Sequence, residues 1–261
     1  MAVPKNLIRD YKALGEWNIL HAYRGSYAHG TRMAPDDPAF IDDIDTIGVC
    51  IPPPEYYLGL REFAGRGAQE IKYQEYDIVV YELLKTLRLL SAGNPNMLAM
   101  MWMERNKYMH LSSAGEMLLE SKSVFSSKRA YKPFIGYAYG QLHRMEHSAF
   151  EGYMGAKRKA LVEVLGYDAK NLSHCIRILR MGIEFLTEGR LHVERPDAQE
   201  LMAIKRGEWT LEQGKTEAER LKKLAEEAYI RSSLPDDVDY DKINRLSISM
   251  IKTTWNERGE Y

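Results

Sequence analysis

Apolar residues fall at helical spacing at the start of the chain. Leu7, Ile8, Tyr11 and Leu14 predict a short helix over residues 4–14, broken by Gly15. Residues 17–23 (WNILHAY) form a short apolar and aromatic run and predict a strand. It leads into Gly25-Ser26, a turn signal, and then a polar loop carrying Pro35 and Pro38. Residues 44–51 (IDTIGVCI) predict a second strand. Pro52, Pro53 and Pro54 end it, because proline donates nothing to a sheet ladder. Residues 70–80 alternate polar and apolar and predict a third strand. From Tyr81 the period turns helical, through Leu83, Leu84, Leu87 and Leu90, until Gly93-Asn94-Pro95 stops it.

The second half is patterned almost wholly as helix. Phe134, Ile135, Ala138, Leu142 and Met145 stripe residues 130–149, and Leu172, Cys175, Ile176, Leu179, Ile183 and Leu186 share a face ahead of Gly189. Thr216-Glu-Ala-Glu219 has the form of a capping box opening a charged helix to about Arg231. After Leu234-Pro235 a last amphipathic helix covers residues 241–255. Serines cluster at residues 110–128, where the strand-rich pattern gives way to helix, and a soft domain boundary is placed there. The expected fold is α+β. A small mixed β-sheet domain flanked by helices (residues 1–120) precedes a helical C-terminal domain (residues 121–261) that closes a cleft over it.

Composition narrows the function classes. The 261 residues are 45% hydrophobic and 28% charged, a globular mix. With 36 Lys and Arg against 37 Asp and Glu, the net charge of -1 disfavours binding to nucleic acid by bulk charge and leaves room for a local basic face. Cys50 and Cys175 make no disulfide scaffold and have no metal-site spacing, which suggests a reduced setting. The opening MAVPKNLIRD lacks the apolar run of a signal peptide, and no stretch approaches the ~20 apolar residues of a membrane span, so a soluble cytoplasmic protein is expected.

The chemistry concentrates in one region. Asp43 and Asp45 form a D-x-D at the start of the second strand, and residues two apart on a strand share a face. Adjacent carboxylates repel unless a cation sits between them, and Mg²⁺ takes such oxygen ligands while sharing its shell with phosphates. Asp77 lies in the third strand. If that strand pairs beside the second, three acids converge, enough to hold two metals about 3.5–4 Å apart for displacement at phosphorus. Glu75, two residues earlier, competes with Asp77 for the third place. Glycine at Gly25 lets backbone approach a phosphate, and the Ser26 hydroxyl adds a donor. A Gly-Ser turn or a D-x-D alone is common; their order with an acid-bearing strand is rarer.

That order resembles the DNA polymerase β superfamily of nucleotidyltransferases. The finer text resembles its RNA-repair (RlaP-like) branch: Gly25-Ser-Tyr-Ala-His-Gly30, Asp43-Ile-Asp-Thr-Ile-Gly48, Ile51-Pro-Pro-Pro-Glu-Tyr-Tyr-Leu-Gly-Leu60, Tyr81-Glu-Leu and Gly93-Asn-Pro-Asn96. Gly166-Tyr-Asp-Ala-Lys-Asn-Leu-Ser-His174 with Arg177, and Ile204-Lys-Arg-Gly-Glu208, continue the likeness, which spans roughly residues 5–255. The spacer from Ser26 to Asp43 is long, with an insertion-like stretch at 33–40 carrying Asp36 and Asp37, and Tyr27 stands where many relatives have arginine. The resemblance implies Mg²⁺- or Mn²⁺-dependent transfer of NMP from an NTP to an acceptor hydroxyl, on RNA, tRNA or another nucleic-acid end. Asp43, Asp45 and Asp77 would bind metal and Asp77 would help activate the hydroxyl, while Gly25 and Ser26 would grip phosphates. The rival readings are a nucleotide- or RNA-binding module without turnover and an antitoxin-like enzyme adding AMP to protein.

Lys170, His174 and Arg177 lie four and three residues apart, on one helix face. Such a strip is either a solvated face or a cationic wall for phosphates. The resemblance favours the wall, with nucleotide-binding roles for all three and Asp168 orienting Lys170 or His174. Lys157-Arg158-Lys159 is read as an exposed basic run. Gln141, Arg144 and Ser148 share a face that lines a cleft or is plain surface. His143 and His147 have zinc-pair spacing but no evident third ligand. Residues 97–103 (MLAMMWM) are read as core.

Overall fold

The computed structural model describes residues 4–37, 40, 43–147 and 156–260. In chain order the elements are α1 (Lys5–Asp10), β1 (Asn18–Tyr23), α2 (Gly25–His29), β2 (Ile44–Cys50), α3 (Ala64–Gly67), β3 (Ala68–Tyr73), β4 (Tyr76–Glu82), α4 (Leu83–Ser91), α5 (Pro95–Met101), β5 (Tyr108–Leu111) and α6 (Ser113–Glu120). The rest is helical: α7 (Tyr131–His147), α8 (Ala156–Leu165), α9 (Ala169–Glu188), α10 (Ala198–Lys205), α11 (Leu211–Arg231) and α12 (Tyr240–Arg258). A mixed five-stranded sheet with helices therefore leads into a largely helical region, the α+β class expected from the sequence.

The strands lie in the order β3-β4-β2-β1-β5. β1 runs antiparallel to β2 and β5, β3 antiparallel to β4, and β2 parallel to β4. Parallel neighbours need a crossover, and residues 51–75 make it, with α3 and β3 on the way. The two-residue period then sorts side chains. On β2, Ile47 and Val49 enter the main core, while Ile44 and Cys50 enter a smaller core with Leu7, Leu14, Trp17, Ile78 and Val80. The main core runs without a break from Ile19 and Leu20 through Leu87, Met97 and Phe134 to Ile176, Phe185 and Trp255. α12 returns to the N-terminal half and packs on α4 and α6. There Trp255 Nε1 donates to Pro52 O at 3.0 Å and Arg258 Nη1 to Ile51 O at 2.7 Å, so the C-terminal helix takes up carbonyls that the proline run takes out of the ladder.

Several expectations are corrected. Residues 70–80 are two strands, not one. The chain turns at Gln74-Glu75, with Gln74 at φ +52, and no Gly, Pro, Asn or Asp marks the turn. Gly25-Ser26 opens the short helix α2 rather than a plain turn. The capping box of α11 is Thr210 with Gln213, six residues before Thr216, which lies inside the helix. The first helix ends at Asp10. The edge strand β5 and the helices α8 and α10 were not anticipated. Of the expected helix 130–149, residues 148 and 149 lie outside the described residues.

Trp255 is buried and hydrogen-bonded. Trp255→Ala is expected to lower the unfolding free energy by about 3–5 kcal/mol in urea titrations followed by circular dichroism.

Candidate active site

The parallel register sets Asp45 of β2 directly opposite Asp77 of β4. Asp45 shares its strand face with Ile47 and Val49, so the acids lie on the side of the sheet toward the helical region. Asp43 is exposed just ahead of β2. Glu75 sits in the β3–β4 turn, exposed, with its carbonyl accepting from Ile44 N at 2.6 Å. It is Asp77, not Glu75, that stands beside Asp45.

Two features frame the pair. The Arg24 guanidinium reaches between them, with Nη2 3.5 Å from Asp45 Oδ1 and 3.4 Å from Asp77 Oδ1. Gly25 follows at φ +60, where a Cβ would lie 2.4 Å from Asp45 Oδ2. Only glycine satisfies both the left-handed backbone and that approach. The Gly-Ser signal thus has a local cause: the start of α2 lies flush against a carboxylate. Burial raises the Asp45 pKa; Asp77 and Asp43 add to the rise, and Arg24 and Lys170 oppose it.

A cleft of about 360 Å³ opens beside the acids. Gly25, Ser26, Asp43 and Asp45 line one wall, and Lys170, His174 and Arg177 of α9 line another. Asp77 adjoins through Arg24 and is not itself in the cleft lining. The strip on α9 divides in two. Burial lowers the Lys170 pKa, Arg158 lowers it further, and Asp45, Asp43 and Asp168 counteract. Lys205, at the end of α10, is pulled down to about 8 by burial and by Lys170, with Asp37 and Asp45 opposing. Arg177 is pulled down to about 9 by burial and Arg195, and the groups that oppose the shift are Tyr137 and Asp197 rather than the site acids. Lys170 and Lys205 therefore share the acids' neighbourhood, and Arg177 occupies another part of the cleft.

Asp168 does not hydrogen-bond to Lys170 or His174. It caps α9 through Asn171 N at 3.3 Å and accepts from Arg158 Nη2 at 2.5 Å. Arg158, read from sequence as part of an exposed run, is partly buried in the cleft wall. Lys159 is exposed, and the Lys157 side chain lies outside the described residues. Gln141 is buried at the cleft. The side chains of Arg144, Glu146 and His147, and residues Ser148 and Glu151, lie outside the described residues; His143 is exposed. Met97, Met100 and Met101 are core, as expected, though Met100 and Met103 also reach the cleft. Among the described residues no helix is long and apolar enough to cross a membrane. Sequence reasoning missed Arg24 and Lys205 as site residues. Lys205 had a signal in the Ile204–Glu208 stretch; Arg24 had only its place beside Gly25.

A model of the RNA repair pathway DNA polymerase beta family, RlaP, matches residues 6–249. The chain belongs to this family. No curated protein matches it. RlaP is a family of polymerase β nucleotidyltransferases, which typically use divalent metals. The donor set here fits in chemistry: all oxygens, with a half-buried carboxylate whose pKa is raised first by burial and then by its acidic neighbours. Among the described residues, however, no three acidic, His or Cys side chains gather closely enough to hold an ion. Arg24 supplies the positive charge between Asp45 and Asp77.

Because folding raises the Asp45 pKa, its charge works against the fold at neutral pH. That penalty lifts as pH falls through the folded value. Asp45→Asn is expected to raise the melting temperature at pH 7, and the gain over wild type to vanish near pH 3, in thermal scans across pH. Gly25→Ala is expected to cost about 1–2 kcal/mol in urea unfolding, from the left-handed backbone.

Proposed function

We propose that this member of the polymerase β family transfers a nucleoside monophosphate from an NTP to a hydroxyl on a nucleic-acid end. The family's link to RNA repair favours RNA as acceptor. The observation that carries the reading is Asp45 in register with Asp77, beside a cleft that holds Lys170 and Lys205.

Burial and Lys170 lower the Lys205 pKa, and burial and Arg158 lower that of Lys170, so the three cations crowd one another. An anion between them relieves that repulsion, so the triphosphate end of the NTP is assigned here, with Arg158 alongside. Ser26 faces the same cleft and donates to a phosphate oxygen. Asp43, Asp45 and Asp77 are the residues that would hold Mg²⁺ or Mn²⁺, which when bound neutralises charge at the reacting phosphate. Asp77 would accept the proton of the attacking hydroxyl. The new bond joins that oxygen to the α-phosphorus, the bond to the bridging oxygen breaks, and pyrophosphate leaves. His174 and Arg177 extend the wall beyond the triphosphate. The helical region, from about residue 121, closes the cleft.

The test is transfer of label from each α-labelled NTP, with Mg²⁺ or Mn²⁺, to RNA, DNA or protein acceptors. Label on RNA is expected; label on protein alone would replace the acceptor assignment, and label on nothing would end the transferase reading. Asp43→Ala with Asp45→Ala is expected to cut transfer at least about a thousandfold with the far-UV spectrum unchanged. Lys170→Met is expected to raise the NTP KM more than it lowers kcat.

A further inference from the structure

Arg177 follows Lys170 by seven residues on α9, about 10 Å along the helix axis. It lines the cleft yet is only 8% exposed. Among the described residues its guanidinium has one polar contact, Met181 Sδ at 3.1 Å, and no carboxylate within ion-pair distance. A buried guanidinium so poorly compensated is costly. The structure therefore holds its donors ready for something that enters the cleft.

The surroundings say what. A phosphate subsite gathers cations or backbone N–H groups, and here the nearby cations are committed. Arg195 gives Nη1 and Nη2 to Glu184 at 2.7 and 2.8 Å and Nε to Asp197 at 2.8 Å. His29 has Nδ1 2.9 Å from Val193 O, and burial holds its pKa well below the usual range, with Arg177 adding to the shift. The cleft lining also includes Ala99, Met100, Met103, Gln141 and the Tyr137 ring, which lies 5.5 Å from the His174 ring. Apolar walls with a few convergent polar groups suit a flat, uncharged ring system.

We propose that Arg177 reads the base of the incoming nucleotide and selects guanine against adenine. The assignment rests on the nucleotidyltransferase reading above, with the triphosphate at Lys170 and Lys205 and the base further along α9. A guanidinium offers only donors. Guanine presents adjacent acceptors, O6 and N7, to such a fork, whereas adenine places its N6 amino donor against it.

Equilibrium binding of GTP, ATP and 7-deaza-GTP to the full chain with Mg²⁺ tests this, in wild type, Arg177→Lys and Arg177→Gln. Wild type is expected to bind GTP about ten- to a hundredfold tighter than ATP. 7-Deaza-GTP, which lacks the N7 acceptor, is expected to lose much of that advantage without any change to the protein. Both variants are expected to bring the GTP-to-ATP ratio toward one, with Arg177→Lys keeping most of the affinity for ATP. Equal and tight binding of GTP and ATP by wild type would overturn the base assignment and leave transfer standing. So would variants that weaken both nucleotides alike. Binding of neither nucleotide would overturn the assignment and the transferase reading together.

Discussion

The site depends on one strand pairing. β2 and β4 run parallel and in register from Ile44 opposite Tyr76 to Cys50 opposite Glu82, and this alone places Asp45 beside Asp77. A slip of one residue would turn Asp77 to the far face of the sheet. Ile78 and Val80 guard against that slip by filling the smaller core on that face, with Ile44 and Cys50 from β2. Two carboxylates held side by side repel each other, and the fold answers locally. Arg24 bridges them, and Gly25 brings backbone against Asp45 where no side chain would fit. The burial that raises the Asp45 pKa is a stability cost located at the candidate site, and perturbed groups of this kind concentrate at functional sites.

The helical half matches this with fixed positive charge. α9 is packed by α7, α10 and α11. Arg180 ties it to Asp197 and Glu200 of the α10 region and to Glu217 of α11, at 2.7, 2.5 and 3.2 Å. Leu172 meets Gly214 and Phe134 meets Gly182, so neighbouring helices come close where a side chain is absent. Asp168 pins the N-terminus of α9 and anchors Arg158. Lys170 and Arg177 therefore project from a braced helix, and their lowered pKa values record what burial costs them. Lys170, in the first turn of α9, lies near the acids, and Arg177, in the middle of the helix, lines another part of the same cleft.

Much of this was legible in the sequence. β1 and β2 follow from short apolar runs, α4, α7, α9 and α12 from a 3.6-residue period, and the adjacency of Asp45 and Asp77 from the expected pairing of their strands. The misses have physical causes. The β3–β4 turn carries its positive φ on Gln74, which no turn rule anticipates. β5 is a short edge strand whose partner, β1, lies far back in the chain. Thr216 has capping chemistry, but the helix already begins at Leu211, so Thr210 takes the cap and Gln213 returns the hydrogen bond. Arg158 and Lys205 join the site only through tertiary burial, and a run of charges in sequence says nothing about which member turns inward. The division of the α9 strip into two zones is equally invisible to helical spacing, which puts Lys170 and Arg177 on one face without saying what each face meets.

Manganese binding followed by electron paramagnetic resonance, with and without a non-hydrolysable NTP, is the most direct measurement of whether the paired acids form a metal-dependent centre. Nucleotide-dependent Mn²⁺ uptake in wild type, lost in both Asp45→Asn and Asp77→Asn, is the result expected. Uptake of equal strength in all three proteins, or none with nucleotide present, would contradict it.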